Sequence, residues 1–457
     1  MIRLFNVYYP TRTLVLPLCE VVLVAGSFLL ATLCLLGPDT DIALLYENGL
    51  VKIAGITVLT LFLSYYFDLY EPQRIVGRGE IYFRLLLVLG VLSFVLAAVL
   101  YFDPDIDIGH NVLIVGIAIL AVFLGIWRRA YEWIIGLSAF RERVYVLGGG
   151  ERAQAVIATL HSRRDAGIDV VAGASALESD GKLDRFAADL RAFSEPSARL
   201  DRVIVAMEDR RGAMPVSELL ELRLSGVKIE DASALMERLS GKLLLDGLNP
   251  SSLIFSEGFN VKPSLKIGRR LVSITIAFIA LAICLPFFPL IILAVRLSSP
   301  GPIFFRQTRV GLHGRPFFLH KFRTMCQDAE ANGAVWAAKD DPRVTAVGRF
   351  LRKTRVDEIP QLWNVICGEM GFVGPRPERP EFVKWLAREI PFYDLRHMIR
   401  PGLTGWAQVR FRYGASLEET RQKLEYDLYY VKHMSIGLDL LIMFETIKTI
   451  LRRRGAQ

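Results

Sequence analysis

The chain has 457 residues, of which 52% are hydrophobic and 22% charged, and a formal net charge of +8. A mean hydropathy of +0.35 and a pI near 9.2 exclude an ordinary soluble protein and imply membrane segments. No stretch resembles a nucleic-acid module, so the basic balance points to anionic headgroups and phosphate substrates, with no nucleic acid as partner. The five cysteines, Cys19, Cys34, Cys284, Cys326 and Cys367, form no CxxC pair, and the six histidines are scattered. A zinc site is therefore not expected, and the cysteines read as small buried hydrophobes of a reducing compartment.

In chain order, apolar runs at about 14–36, 53–67, 83–102 and 112–127 each approach the length that crosses a bilayer. No small-residue cleavage site follows the first, so it does not read as a secretory signal. The loops after the first and third runs carry Asp39, Asp41 and Glu47, and Asp103, Asp105 and Asp107. Arg74, Arg78 and Arg84 follow the second run, and Arg128 and Arg129 the fourth. Lys and Arg mark the cytoplasmic side, so both ends of this four-helix bundle, about residues 1–135, are expected there. A second segment, about 140–240, alternates strand and helix and predicts a parallel sheet. Its strand Val144-Tyr145-Val146-Leu147 runs into Gly148-Gly149-Gly150 and then a helical pattern. The spacing Gly148-x-Gly150-x-x-Ala153 fits a dinucleotide fingerprint loosely, with Asp169 near the place of the acid that would bind ribose. A structural glycine turn in a degenerate Rossmann-like domain is the preferred account.

A linker at about 241–265 leads to a further uncharged run, 271–295, interrupted by Pro286 and Pro289. Lys262, Lys266, Arg269 and Arg270 precede it, and Arg296, Arg306 and Arg309 follow. Positive charge on both flanks contradicts a simple crossing. A helix broken at the prolines, entering and leaving on one face over about 268–297, resolves the conflict. Beyond it, amphipathic stretches at 381–390, 422–433 and 438–451 read as core-facing or interfacial helices, and Arg452-Arg453-Arg454 suits anionic headgroups.

The chemistry concentrates in Arg355-Val356-Asp357-Glu358-Ile359-Pro360-Gln361-Leu362-Trp363-Asn364. Pro360 fits only the first turn of a helix, which places Asp357 and Glu358 at its N-terminus. Alone, such a pair is ordinarily first-turn charge on a solvated face. Here Lys321-Phe322-Arg323-Thr324-Met325 lies upstream, and Gly374-Pro375-Arg376-Pro377-Glu378, a proline-stiffened turn, lies downstream. Ionised carboxylates among fixed cations suit phosphoryl transfer.

These blocks carry a resemblance. With Ser299-Pro300-Gly301-Pro302-Ile303-Phe304-Phe305-Arg306-Gln307, Asp341-Pro342-Arg343-Val344-Thr345 and Pro401-Gly402-Leu403-Thr404-Gly405-Trp406, they resemble, in order, the bacterial sugar transferases. Those are the monotopic polyprenyl-phosphate phosphoglycosyl transferases. The match runs from about Lys266 to the C-terminus, giving a mostly α catalytic domain at about 266–457. The whole chain resembles the large subgroup, with four added membrane helices and a middle domain. The opening Met1-Ile2-Arg3-Leu4-Phe5-Asn6 and the layout look like members linked to exopolysaccharide synthesis. The resemblance implies the re-entrant helix-break-helix and a multi-pass protein of the bacterial inner membrane, its catalytic domain facing the cytoplasm. The implied reaction moves sugar-1-phosphate from a UDP-sugar to undecaprenyl phosphate and releases UMP. A homodimer through the middle domain or the bundle is also suggested. In two places the chain departs from many relatives: Ser273 stands where an acid follows the basic pair, and Gly371 where Ser follows Glu-Met.

On this reading Asp357 is the nucleophile, forming a phospho-aspartate, and Glu358 binds Mg²⁺, shared with Asp357. Arg376 is the phosphate clamp, Lys321, Arg323 and Arg309 are further phosphate-binding cations, and Glu378 orients Arg376. Two other classes remain. A membrane-tethered NAD-dependent nucleotide-sugar oxidoreductase or epimerase would need a Tyr-x-x-x-Lys pair, which does not occur between Gly150 and Lys242. A non-catalytic export scaffold gives no reason for the ordered charged blocks. No stretch identifies the sugar.

Overall fold

The computed structural model describes residues 2–4, 6–71, 77–104, 107–109, 111–137, 141–163, 167–173, 200–207, 214–246, 248, 250–255, 258–259, 262–326, 341–411 and 416–452. It is mostly helical, with five helices among those residues long and apolar enough to cross a membrane and a small parallel sheet. Two compact units divide it: residues 9–235 with 1–2, and 236–457 with 3–8. The expected Arg74, Asp105, Arg453 and Arg454 lie outside the described residues.

In the first unit, α1 (Thr11–Leu36), α2 (Gly49–Tyr66), α3 (Arg78–Phe102) and α4 (Val112–Gly136) form the apolar helices. Their inner residues follow helical spacing: Val24, Phe28 and Ala31 of α1 are fully buried, while Leu18 and Val22 are about two-thirds exposed on its outer face. That outer apolar surface requires lipid. Arg128 and Arg84, counted above as flanking charges, are instead buried. Arg128 pairs with Glu20 of α1 at 2.6 Å, and Tyr70 donates to the same carboxylate at 2.5 Å. Arg84 donates to the Phe67 carbonyl at 3.2 Å and pairs with Glu80. A charge at this depth must be paired, and the run of apolar letters conceals that pairing. Arg129 remains exposed. The cysteines also differ from expectation: Cys34, Cys326 and Cys367 are exposed, and Cys19 and Cys284 are half-buried. Several sit on apolar helices whose outer faces no protein covers.

After the short strands β1 (Ile2–Leu4) and β2 (Val7–Tyr9) at the start of the chain, the first unit holds four parallel strands, β3 (Glu142–Leu147), β4 (Ile168–Gly173), β5 (Arg202–Val205) and β6 (Lys228–Asp231), in the order β4-β3-β5-β6. Helix α5 (Gly150–Ser162) follows β3 through the triple glycine. Gly148 has φ +143°, and a Cβ there would lie 2.7 Å from the Ala206 carbonyl carbon. The glycine is thus required by the approach of two backbones. Asp169 pairs in register with Arg143, at the start of β3. The glycine turn follows Leu147, four residues along, which is about 13 Å away at strand rise. The acid therefore stands at the wrong end of the sheet to meet a dinucleotide held at the turn.

In the second unit, a helix Pro263–Cys284 meets a 3₁₀ turn Leu285–Phe287 and continues as Phe288–Ser298. Pro286 lies in the turn. Pro289 opens the second helix, where its missing N–H goes unused. Only 6% of the apolar window is buried. Ser273 and Ala277 are buried on the first arm and Val295 on the second: Ala277 packs with Leu319, Leu362 and Val365, and Val295 with Phe322 and Leu351. Arg269 pairs with Asp439 at 2.6 Å, and Arg270 donates to the Val365 and Ile366 carbonyls at 2.5 and 2.8 Å. Asp439 thus supplies from far along the chain the acid absent at Ser273. Ser273 itself accepts from the Phe372 N–H at 3.3 Å.

Candidate active site

Strand β7 (Phe304–Val310) pairs antiparallel with β8 (Pro316–Phe322), Phe305 opposite Lys321. Phe322 of β8 turns into the core against Phe288 and Phe304, and its neighbour Lys321 reaches the acidic pair. The helix Ala346–Thr354, capped by Thr345, ends at Arg355 in the left-handed region, φ 60°. That residue turns the chain into a 3₁₀ turn Val356–Glu358, and Pro360 caps the short helix Gln361–Cys367. The expected placement of both acids ahead of a helix is therefore met. Fully buried Asn364 fixes that helix to the hairpin: it accepts from the His320 N–H at 3.2 Å and donates to the Phe318 carbonyl at 2.7 Å. Lys321 is held between these two bonds and the dyad.

Lys321 Nζ lies 2.9 Å from Glu358 Oε1 and 4.0 Å from Asp357 Oδ2. Arg376 Nη2 meets the same Glu358 oxygen at 2.9 Å, and Arg355 Nη1 lies 3.8 Å from it. Arg376 Nη1 also donates to Gln408 Oε1 at 3.3 Å. Asp357 is 6% exposed, and its buried Oδ1 has no hydrogen-bond partner among the described residues. Burial pushes the Asp357 carboxyl above the usual range; Lys321 opposes this and Glu358 adds to it. Burial acts on Glu358 in the same sense, but Lys321, Arg376 and Arg355 outweigh it, so Glu358 stays ionised well below the usual range. One carboxylate is thus saturated with cations, and its neighbour keeps a bare oxygen.

The structure brings together Asp357, Glu358, Lys321 and Arg376. It does not join the other expected residues to them in the same way. Arg309 is engaged by Gln307 at 2.6 Å, the Pro377 carbonyl at 3.0 Å and Glu378 at 3.4 Å. Glu378 therefore pairs with Arg309. Arg323 is buried and donates to the Ser299 carbonyl at 2.5 Å. Sequence reasoning passed over Arg352 and Arg355, although both stand in the cationic run directly before the dyad. Arg352 donates to Thr324 Oγ1 at 2.9 Å. Burial lowers its pKa, while Asp357 and Asp341 push it back up. Gln408 gave no signal beyond its place after the Gly402–Trp406 block.

Among the described residues no three His, Cys, Asp or Glu side chains form a metal cage. Magnesium does not need one: one or two carboxylates, water and substrate phosphates are its usual set. The unpartnered Asp357 Oδ1, beside a second carboxylate, fits that donor set.

Residues 264–453 match the family described as bacterial sugar transferase. The chain is 30% identical over 433 residues to a UDP-glucose:undecaprenyl-phosphate glucose-1-phosphate transferase of Escherichia coli, covering 92% of each chain. It is 40% identical over 262 residues to a UDP-N-acetylgalactosamine-undecaprenyl-phosphate N-acetylgalactosaminephosphotransferase of Aeromonas hydrophila, spanning 57% of this chain and 61% of that relative. A putative undecaprenyl-phosphate N-acetylgalactosaminyl 1-phosphate transferase of Bacillus subtilis is 47% identical over 147 residues, which is 32% of this chain and 78% of that one. A buried acidic pair ringed by cations, beside an apolar broken helix, defines a membrane-bound phosphotransferase site. The chain belongs to the bacterial sugar transferase family.

Proposed function

We propose that this enzyme transfers sugar-1-phosphate from a UDP-sugar to undecaprenyl phosphate through a phospho-aspartate, as an initiating step of exopolysaccharide synthesis. The observation that carries the chemistry is the buried, unpartnered Oδ1 of Asp357 next to a cation-saturated Glu358. In the first step Asp357 attacks the sugar-bearing phosphorus. The bond to the UMP oxygen breaks, and UMP leaves with that electron pair. In the second, a phosphate oxygen of undecaprenyl phosphate attacks the same phosphorus and the carboxylate is released. Arg376, Lys321 and Arg355 neutralise the charge that gathers on the phosphoryl oxygens. Magnesium would be held by Glu358 and Asp357 and would supply charge neutralisation of the phosphates. The relatives' names include both glucose and N-acetylgalactosamine donors, so a panel of UDP-sugars decides the donor. Enzyme mixed with UDP-sugar alone should release UMP in a burst stoichiometric with enzyme. No UMP before lipid phosphate is added would refute the nucleophile.

The proposed layout is a four-helix bundle at 1–135, a Rossmann-like domain at 140–240, a linker at 241–265 and a catalytic domain at 266–457 with a re-entrant helix at 268–297. Both arms of the broken helix pack on one hairpin strand, Ala277 near Leu319 and Val295 near Phe322, which supports a return to the face of entry. Nucleotide-sugar supply places that face in the cytoplasm of a bacterial inner-membrane protein. Homodimerisation remains part of the proposal. The oxidoreductase reading loses support from the position of Asp169.

A further inference from the structure

Two arginines outside the acidic pair, Arg396 buried and Arg269 half-buried, hold the backbone of the segment that carries Arg376. At one end, the Val373 carbonyl accepts from Arg269 Nη2 at 3.3 Å, and the Tyr430 hydroxyl oxygen lies 3.3 Å from the same carbonyl. Arg269 is paired with Asp439 at 2.6 Å, and Tyr430 donates to that aspartate at 2.7 Å. At the other end, the Arg376 carbonyl accepts from Arg396 Nη2 at 2.9 Å. Arg396 is paired with Asp427 at 2.8 Å, and its Nη1 donates to the Tyr393 hydroxyl at 2.8 Å. Arg396 is 7% exposed, Asp427 3% and Asp439 4%.

Between these ends, the Gly374 N–H donates to Thr404 and the Pro375 carbonyl accepts from Gly402, both at 2.9 Å. A Cβ on Gly402 would lie 2.0 Å from the Gly374 nitrogen, so the two backbones admit no side chain there. Each residue from 373 to 376 is thus fixed by a backbone bond, and Pro375 and Pro377 stiffen the same turn. Only the Arg376 side chain is left to reach Glu358 and Gln408.

A buried ion pair is a poor way to add stability, because apolar residues of similar volume do as well or better. Its planar fork, however, directs a hydrogen bond to one carbonyl while satisfying one carboxylate. We propose that Arg396–Asp427, with Arg269–Asp439 at the opposite end, are positioning residues that aim the Arg376 guanidinium at the transferred phosphate. This rests on the reading of Arg376 as the substrate clamp. Misplacement of a catalytic group by about 1 Å is enough to cost on the order of 100-fold in rate.

The test uses the full-length protein in lipid nanodiscs, with UMP release as the readout. The double variant Arg396→Met with Asp427→Leu removes both charges and keeps volume. It should melt near wild type yet lose at least about 10-fold in kcat/KM. In an Arg376→Ala background the same pair of changes should lose less than about threefold, since contacts that act through one side chain are not additive. Arg396→Lys keeps the charge but not the fork, and it serves if the double variant does not fold; its loss should show the same dependence on Arg376. Wild-type kcat/KM in a folded variant, or equal losses in both backgrounds, overturns the positioning role. Wild-type activity in Arg376→Ala alone overturns the clamp reading itself, and the positioning role with it.

Discussion

Lys321→Met removes the cation that touches both carboxylates. Unit charges 4.0 Å apart, the separation from Asp357 Oδ2, attract by about 4 kcal/mol at an effective dielectric near 20. Both side chains are well covered, at 20% and 9% exposure, so solvent screens the pair only in part. Arg355 and Arg352 retain some of the field on Asp357, which brings the expected loss to about 2–4 kcal/mol. That corresponds to a fall of roughly 30- to 1,000-fold in kcat/KM at neutral pH. The sign of the pH dependence follows from the same charge. Lys321 opposes the upward push of burial on Asp357, so without it the carboxylate takes up its proton at higher pH. Steady-state UMP release across pH 5.5–9 should therefore show the variant recovering relative to wild type as pH rises. Lys321→Arg, which keeps the charge, should lose much less. A folded Lys321→Met enzyme with unchanged neutral kcat/KM, or a deficit identical at every pH, would refute the electrostatic role.

Asp357→Asn should lose at least about three orders of magnitude in kcat and abolish the UMP burst, read by rapid quench. Glu358→Gln should be severely impaired, and chelation of divalent cations should depress the wild type far more than this variant. Arg376→Lys should lower kcat/KM for UDP-sugar despite its charge, because a point cation cannot replace a bidentate fork. His397 is held down to about 4 by burial and by Arg396. The unfolded chain therefore binds the extra proton between about pH 6.5 and 4, and stability falls on acidification through that window by on the order of 2–3 kcal/mol. His397→Asn should flatten the decline in melting temperature over that range.

Local pattern determined a good deal. Apolar runs of bilayer length are written in consecutive residues, so the helices at 11–36, 49–66, 78–102, 112–136 and the broken helix at 263–298 were legible. The same holds for Asp357 and Glu358 ahead of a helix, because Pro360 restricts the turn it occupies. Partner choice was not legible, because it depends on contacts between residues far apart in sequence. Arg84 and Arg128 read as loop cations until the helices closed around them. Asp169 met a motif's count but fell at the wrong end of the sheet, since strand register and not spacing sets height. Glu378 lies two residues from Arg376 but binds Arg309, and the fork that holds the Arg376 carbonyl comes from Arg396 and Asp427. Burial and distance decide the strength of a charge, and both belong to the folded chain alone.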